Sequence, residues 1–295
     1  MWFLYVVAAS LFTAVYYFGN QSVKVSPNVF MLYRGFMPVV LLLPFLPQMN
    51  FIAAWQFYVC CVAQGLVIAF IDNRNYQAMQ KWGAEIVSAV HPLAVGAVFV
   101  LWFVLHPTDL AMLWQRPGQF CCIVLALCGV IYATSSLKKV PQIKQTLWFL
   151  LPFFFGVALC DNFNKLCMSY LDKTELLDGS YFYILITGFV VGVINLVIYM
   201  KNKAPLKAII HGRQNLLCAA IMLLLMGSML FKNLAMFHVS NPSYVTAALY
   251  LYVIWIMAAV HIFPKLQAGA QYAHISRFKI LLLLISAVAL VLIEK

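Results

Sequence analysis

"FIDNRNYQAMQKWGAE", residues Phe70 to Glu85, decides how this chain is read. Asp72, Arg74, Lys81 and Glu85 fall within these sixteen residues of a chain that is only 9% charged. Before it stands "FYVCCVAQGLVIAF" (Phe57–Phe70), and after it "IVSAVHPLAVGAVFVLWFVL" (Ile86–Leu105). Both flanks are oily enough for the middle of a bilayer. Charges between such runs mark either a turn at a membrane face or ionic groups set into hydrocarbon.

The rest of the chain sharpens the choice. It is 65% hydrophobic with a mean hydropathy of +0.93. Soluble domains are usually about half apolar and about a quarter charged. So few polar residues could not cover a water-facing surface, so the chain reads as a multi-pass membrane protein. Its apolar runs are solid over about 20 residues, the length of a spanning helix. Barrel strands would alternate polar and apolar residues over about ten positions. An all-α membrane protein follows, because hydrocarbon offers no partner to an open strand edge. Trp2 opens the first run without a basic leader or a clear cleavage site, so this run reads as a spanning helix rather than a signal peptide.

Working outward, an apolar window predicts about ten spans. They are Trp2–Phe18, Val29–Leu46, Ala54–Asn75, Ala84–Leu105, Gly118–Ser135, Thr146–Leu171, Tyr181–Met200, Asn215–Val239, Tyr244–Phe263 and Lys279–Ile293. The polar break "SSLKKVPQIKQ" near mid-chain divides them five and five, into residues 1–140 and 141–295. A shift of 158 lays Arg74-Asn75 on Lys232-Asn233 and Val87-Ser88-Ala89 on Val245-Thr246-Ala247. A shift of 153 lays Gly35-Phe36 on Gly188-Phe189. These short matches fit an internal duplication, and an odd number of helices per unit inverts the second copy in the membrane.

Lysine and arginine concentrate in alternate loops: Lys24; Lys81; Lys138, Lys139 and Lys144; Lys201, Lys203, Lys207 and Arg213; Lys265 and Arg277. The opposite side has Arg116, Lys173 and Lys295. The positive-inside rule places the basic loops in the cytoplasm and both ends of the sequence outside. The net charge of +11 is thereby read as topological, and no nucleic-acid partner is expected.

Two junctions carry a family likeness, "NYQAMQKWGAEIVSAVHPLAVGAVF" (Asn75–Phe99) and "NLAMFHVSNPSYVTAALYLYVIW" (Asn233–Trp255). With the five-plus-five layout, the chain resembles the drug/metabolite transporter superfamily in its ten-helix EamA-like branch. The resemblance implies two inverted five-helix repeats, a cavity between them and alternating access to its two sides. His91-Pro92 matches the family's mid-span proline, whereas the second half has Tyr250 at that place. Members of the family usually keep both termini in the cytoplasm, which is the reverse of the charge bias here.

Ionisable groups at bilayer depth are costly and mark function or pairing. The candidate substrate-binding residues are Arg34, Arg74, Asn75, Glu85, His91, Asp161, Asn164, Lys165, Lys232, Asn233, Tyr244 and Tyr252. Asp161 and Lys165 stand four apart on one helical face, as a structural ion pair or as a cavity-lining one. Arg34 keeps its proton and needs a carboxylate, carbonyls or water; it either snorkels to the interface or pairs with an acid such as Glu85 or with a substrate carboxylate. If the third span ends near Asn75, Asp72 and Arg74 form an interfacial cluster with Glu85. Tyr244, Ala248, Tyr252 and Trp255 share a face at helical spacing, as a pocket wall or as lipid-facing aromatics. The eight cysteines lie in apolar runs with no zinc-like spacing.

No metal, cofactor, catalytic triad or nucleotide loop is expected, and the chain is not read as an enzyme. The expectation is a secondary transporter of a small polar metabolite, an amino acid or related zwitterion. It would work by exchange, facilitated diffusion or proton coupling, with Asp161 and Glu85 the better proton carriers. A lipid-headgroup flippase, or an exchanger of organic anions or nucleotides, is the alternative. The expected partners are the small-molecule substrate, the lipid bilayer and a coupling proton, in a bacterial-type inner membrane.

Overall fold

The computed structural model describes residues 1–22, 26–82, 91–134, 143–201, 212–262 and 276–294. Among them there is helix and no strand. The helices are α1 (Trp2–Ser22), α2 (Pro27–Leu42), α3 (Trp55–Trp82), α4 (Ala94–Leu105), α5 (Pro107–Trp114) and α6 (Pro117–Thr134). They continue as α7 (Ile143–Ser169), α8 (Leu176–Lys201), α9 (Gly212–His238), α10 (Pro242–Leu249), α11 (Tyr252–Ile262) and α12 (Arg277–Ile293). Seven described stretches are long and apolar enough to cross a membrane, or eight if α4 and α5 count as one span bent by 102°. The protein is thus an all-α, multi-pass membrane protein.

The helix boundaries have local causes. Ser26 caps α2 by accepting a hydrogen bond from the Val29 amide, and Pro27 fills the first helical position, where a missing N–H costs nothing. Asn241 and Pro242 repeat the device at α10. Polar side chains within spans satisfy themselves on the preceding turn. Thr134 donates to the Val130 carbonyl at 2.6 Å and Thr187 to the Tyr183 carbonyl at 2.6 Å.

The outer faces are as apolar as the interior, unlike those of a soluble protein. On α3, Val59, Val62, Leu66 and Phe70 face outward while Gln64 is buried. Large apolar side chains outside and an amide inside are what a lipid solvent selects.

The helices pair in a regular way. α2 packs on α8, α6 on α12, α1 on α9 and α3 on α7; α3 also meets α8, α2 meets α9, α4 packs on α7, and α1 packs on α10 and α11. Hydrocarbon gives helices no hydrophobic reason to associate, so close backbone approach carries the packing. At the α2–α8 crossing a Cβ on Gly35 would stand 2.2 Å from the Gly192 backbone, and one on Gly188 would stand 3.0 Å from the Gly35 carbonyl oxygen. The two glycines that the repeat matched, Gly35 and Gly188, are therefore direct neighbours.

α3 runs on to Trp82, about 15 Å of helix beyond Asp72, where its apolar stretch ends. One expectation needs correction. The span from Tyr244 onward is broken although it has no mid-span proline. At the break Tyr250 N–H bonds to the Ala247 carbonyl at 3.2 Å and Leu251 N–H to that of Ala248 at 3.0 Å. These three-residue bonds tighten the backbone and divide α10 from α11.

The glycine crossing yields a prediction. Gly35→Ala must push the α2 and α8 backbones apart and is expected to cost about 1–3 kcal/mol. Gly118→Ala, where a Cβ meets nothing within 4 Å, is the control. Thermal unfolding in detergent should show a lower melting temperature for the first variant only; equal melting temperatures would contradict the close crossing.

Candidate substrate site

Asp161 on α7 is the centre of the first polar group. Its Oδ1 accepts from Lys232 Nζ on α9 at 2.5 Å, and its Oδ2 from Thr246 Oγ1 on α10 at 2.6 Å. Asp161 is buried, whereas the Lys232 side chain keeps 21% of its surface open. Three helices are thus tied through one carboxylate. Asp161 lies about 12 Å of helix from Ser169, and Lys232 about 9 Å from His238.

A second ion pair joins Arg34 Nε on α2 to Asp72 Oδ2 on α3, with side-chain exposures of 18% and 17%. Asp72 is about 25 Å of helix from Trp55, so this pair lies deeper from that end of the bundle. The buried Cys160 thiol lies within electrostatic reach of all four charges. The two pairs sit on neighbouring helices, α3 packing on α7 and α2 on α9. Each is made of one base and one acid, so each pair is neutral in itself.

Below Asp161 on the same helix, Asn164 opens a neutral cluster. Asn164 Nδ2 donates to Tyr183 OH on α8 at 2.8 Å and to Asn233 Oδ1 on α9 at 2.9 Å. Gln64 Nε2 on α3 also donates to Tyr183 OH. All four residues are buried. Gln64 Oε1, Asn164 Oδ1 and Asn233 Nδ2 are buried with no hydrogen-bond partner.

The sequence candidates separate on this frame. Arg34, Asp161, Asn164, Lys232 and Asn233 belong to the polar groups just described. Lys165 does not pair with Asp161, as the i, i+4 spacing suggested; its Nζ donates to the Met236 carbonyl at 3.0 Å, and Glu294 and Asp109 supply its nearest opposite charge. Arg34 pairs with Asp72. Tyr244 and Tyr252 do not form one wall. Tyr244 packs in the main core, while Tyr252 joins Tyr17 and Tyr250 at ring distances of 5.1 and 5.7 Å. Arg74 and Asn75 follow Asp72 on α3 and His91 opens a short 3₁₀ turn, but their side chains lie outside the described residues, as does all of Glu85.

Gln64, Tyr183 and Thr246 were missed as site residues. Each is a single polar residue inside an apolar run, which leaves no periodic signal. Thr246 alone left a trace, in the repeat match of Val245-Thr246-Ala247.

The far end of the bundle gathers acids. Asp109, Asp172, Glu175, Asp178 and Glu294 all lie at helix ends or in short connections between them. Asp178 Oδ2 accepts from the Asn50 side chain at 3.1 Å, and Glu294 accepts from both the backbone N–H and the hydroxyl of Ser240. Glu294 therefore clasps the end of α12 to the α9–α10 turn. Among the described residues no group of His, Cys, Asp and Glu is placed to hold a metal ion. No protein-family model matches the chain, and a search of curated proteins finds no relative.

Two predictions follow from these contacts. Lys232→Met strands a buried carboxylate and is expected to cost about 3–5 kcal/mol, most of which returns when Asp161→Asn is added. Thermal unfolding of the two variants tests this, and a double variant no more stable than the single one would contradict the pairing. At the acid end, burial raises the Glu294 carboxyl above 4.5, against the opposing hydrogen bonds from Ser240 and the charge of Lys165. Folding therefore favours its neutral form. The stability this group contributes is complete below 4.5 and is lost as pH rises through the raised folded value. Glu294→Gln should flatten the fall of melting temperature over that range; an unchanged slope would show that the clasp is not the titrating group.

Proposed function

We propose that this protein is a secondary transporter of a small zwitterionic metabolite, an amino acid or close relative. It works by alternating access between two inverted five-helix units, residues 1–140 and 141–295, as in the EamA-like transporters it resembles. The observation that carries this reading is the pair of balanced ion pairs, Arg34–Asp72 and Asp161–Lys232, on neighbouring helices. Each unit contributes one pair. Ionised side chains opening onto lipid would cost several kcal/mol, so the open faces of Arg34, Asp72 and Lys232 belong to a wet cavity.

The helix pairings support the inverted repeat. An exchange of the two units maps α1 on α9 to α7 on α3, α3 on α8 to α9 on α2, and α4 on α7 to α10 and α11 on α1. The α2–α8 and α6–α12 pairs map onto themselves. Ten crossings complete this pattern, with the described ends of the chain near the acid end.

The chemistry of the site suits a zwitterion. A ligand carboxylate takes the place of Asp161 on Lys232, and a ligand ammonium takes the place of Lys232 on Asp161. Charge balance is kept at every stage, so no uncompensated ion is left in the interior. The same balance disfavours a ligand of large net charge.

Uptake into liposomes tests the reading. Purified protein should give saturable uptake of radiolabelled L-amino acids, and the Asp161→Asn, Lys232→Met double variant should lose at least about tenfold while remaining monodisperse. Uptake equal to that of protein-free vesicles would refute transport. Scrambling of headgroup-labelled lipid without amino-acid uptake would favour the flippase instead.

A further inference from the structure

We propose that Gln64, Asn164, Tyr183 and Asn233 form a side-chain subsite that selects a carboxamide-bearing amino acid, of the glutamine or asparagine type. This rests on the transporter reading above and narrows its substrate.

The cluster is placed where a ligand's side chain would lie. Asn164 is three residues beyond Asp161 on α7, nearly one turn, and Asn233 directly follows Lys232 on α9. A zwitterion held by Asp161 and Lys232 therefore has the amide cluster beside it. Four helices converge there, α3, α7, α8 and α9, so the subsite draws on both five-helix units.

The hydrogen-bond inventory gives the chemistry. Tyr183 OH accepts from both Gln64 and Asn164, and Asn164 spends its amide hydrogens on Tyr183 and Asn233. This leaves two carbonyl oxygens, Gln64 Oε1 and Asn164 Oδ1, and one amide nitrogen, Asn233 Nδ2, buried and unpartnered. Such groups cost about 1–3 kcal/mol each when left unmade, and buried polar atoms are ordinarily bonded. Exchanging the oxygen and nitrogen ends of any of these amides still leaves donors and acceptors mixed.

A ligand that completes the set must offer both kinds. A carboxamide does so with one group, its oxygen accepting from Asn233 Nδ2 and its NH₂ donating to Asn164 Oδ1 and Gln64 Oε1. A carboxylate offers only acceptors and would bury an unpaired charge among carbonyls. An ammonium offers only donors. An aliphatic tail leaves all three protein atoms unmade. Sites built on buried hydrogen bonds reject the analogue that lacks them more strongly than apolar pockets reject a missing methylene.

The test uses the full chain in liposomes with three radiolabelled probes: L-glutamine, L-glutamate and L-leucine. They share the zwitterionic head and differ in the tail. Wild-type uptake efficiency for glutamine should exceed that for the other two by at least about tenfold. Asn233→Leu should lower glutamine uptake by about tenfold and leucine uptake by much less, so that the discrimination collapses. Should Asn233→Leu fail to yield monodisperse protein, Tyr183→Phe removes only the hydroxyl and should reduce glutamine selectively. Equal uptake of the three probes by wild type overturns the subsite while leaving the transporter standing. So does a variant that slows all three alike, or one that keeps the preference for glutamine, the result expected if the amides merely hold buried water. Uptake of none of them overturns the zwitterion reading and this proposal together.

Discussion

Hydrocarbon neither hydrates a charge nor accepts a hydrogen bond, and the polar contacts buried between these helices answer that constraint. Asp161 answers it most fully. A lone carboxylate at its depth would neutralise or unfold its surroundings. Here one oxygen takes the Lys232 ammonium and the other the Thr246 hydroxyl, so three helices must be in register for the carboxylate to be satisfied at all. The pair is therefore weak as a source of net stability and strong as a condition on geometry. Lys165 meets the same constraint differently, by donating to a backbone carbonyl left open as α9 nears its end.

Packing follows from the same solvent. Lipid tails are as apolar as leucine, so helices gain little by hiding leucines from them. They gain by approaching closely, and the small residues mark where they do. Gly156 on α7 faces Ile71 on α3, and Gly227 on α9 faces Phe12 on α1. These two contacts join helix pairs that exchange with one another under the proposed inversion. The α2–α8 crossing, which maps onto itself, carries glycine on both partners, because neither side of a self-related contact can supply the bulk.

How much of this was legible depended on whether a feature had a period. Apolar runs have one, so the spanning helices were readable from composition and hydropathy. The end of α3 was not. Asp72 and Arg74 mark where the apolar stretch ends, yet the helix itself continues to Trp82, because its backbone hydrogen bonds need no apolar side chains to go on. Lys165 was assigned to Asp161 by helical spacing, but a short cross-helix bond from Lys232 outcompetes a partner one turn away. The break at Tyr250 had no proline to announce it. Gln64 and Tyr183 were invisible for the opposite reason, since single polar residues in oily runs acquire meaning only when separate helices bring them together.

The two ion pairs are not equivalent, and the difference bears on mechanism. A guanidinium holds its proton under all ordinary conditions and binds a carboxylate through fixed planar geometry. A lysine ammonium is a point charge on a flexible stem, free to rotate its donors from one acceptor to another. In the transporter reading, Arg34–Asp72 therefore serves as the durable pair that links α2 to α3, deeper in the bundle. Asp161–Lys232 is the pair suited to open, because its lysine can turn to a ligand carboxylate while Thr246 continues to hold the aspartate. In that same reading, a ligand entering from the acid end meets the yielding pair first and the fixed pair afterward, the order that a site between two alternating gates requires.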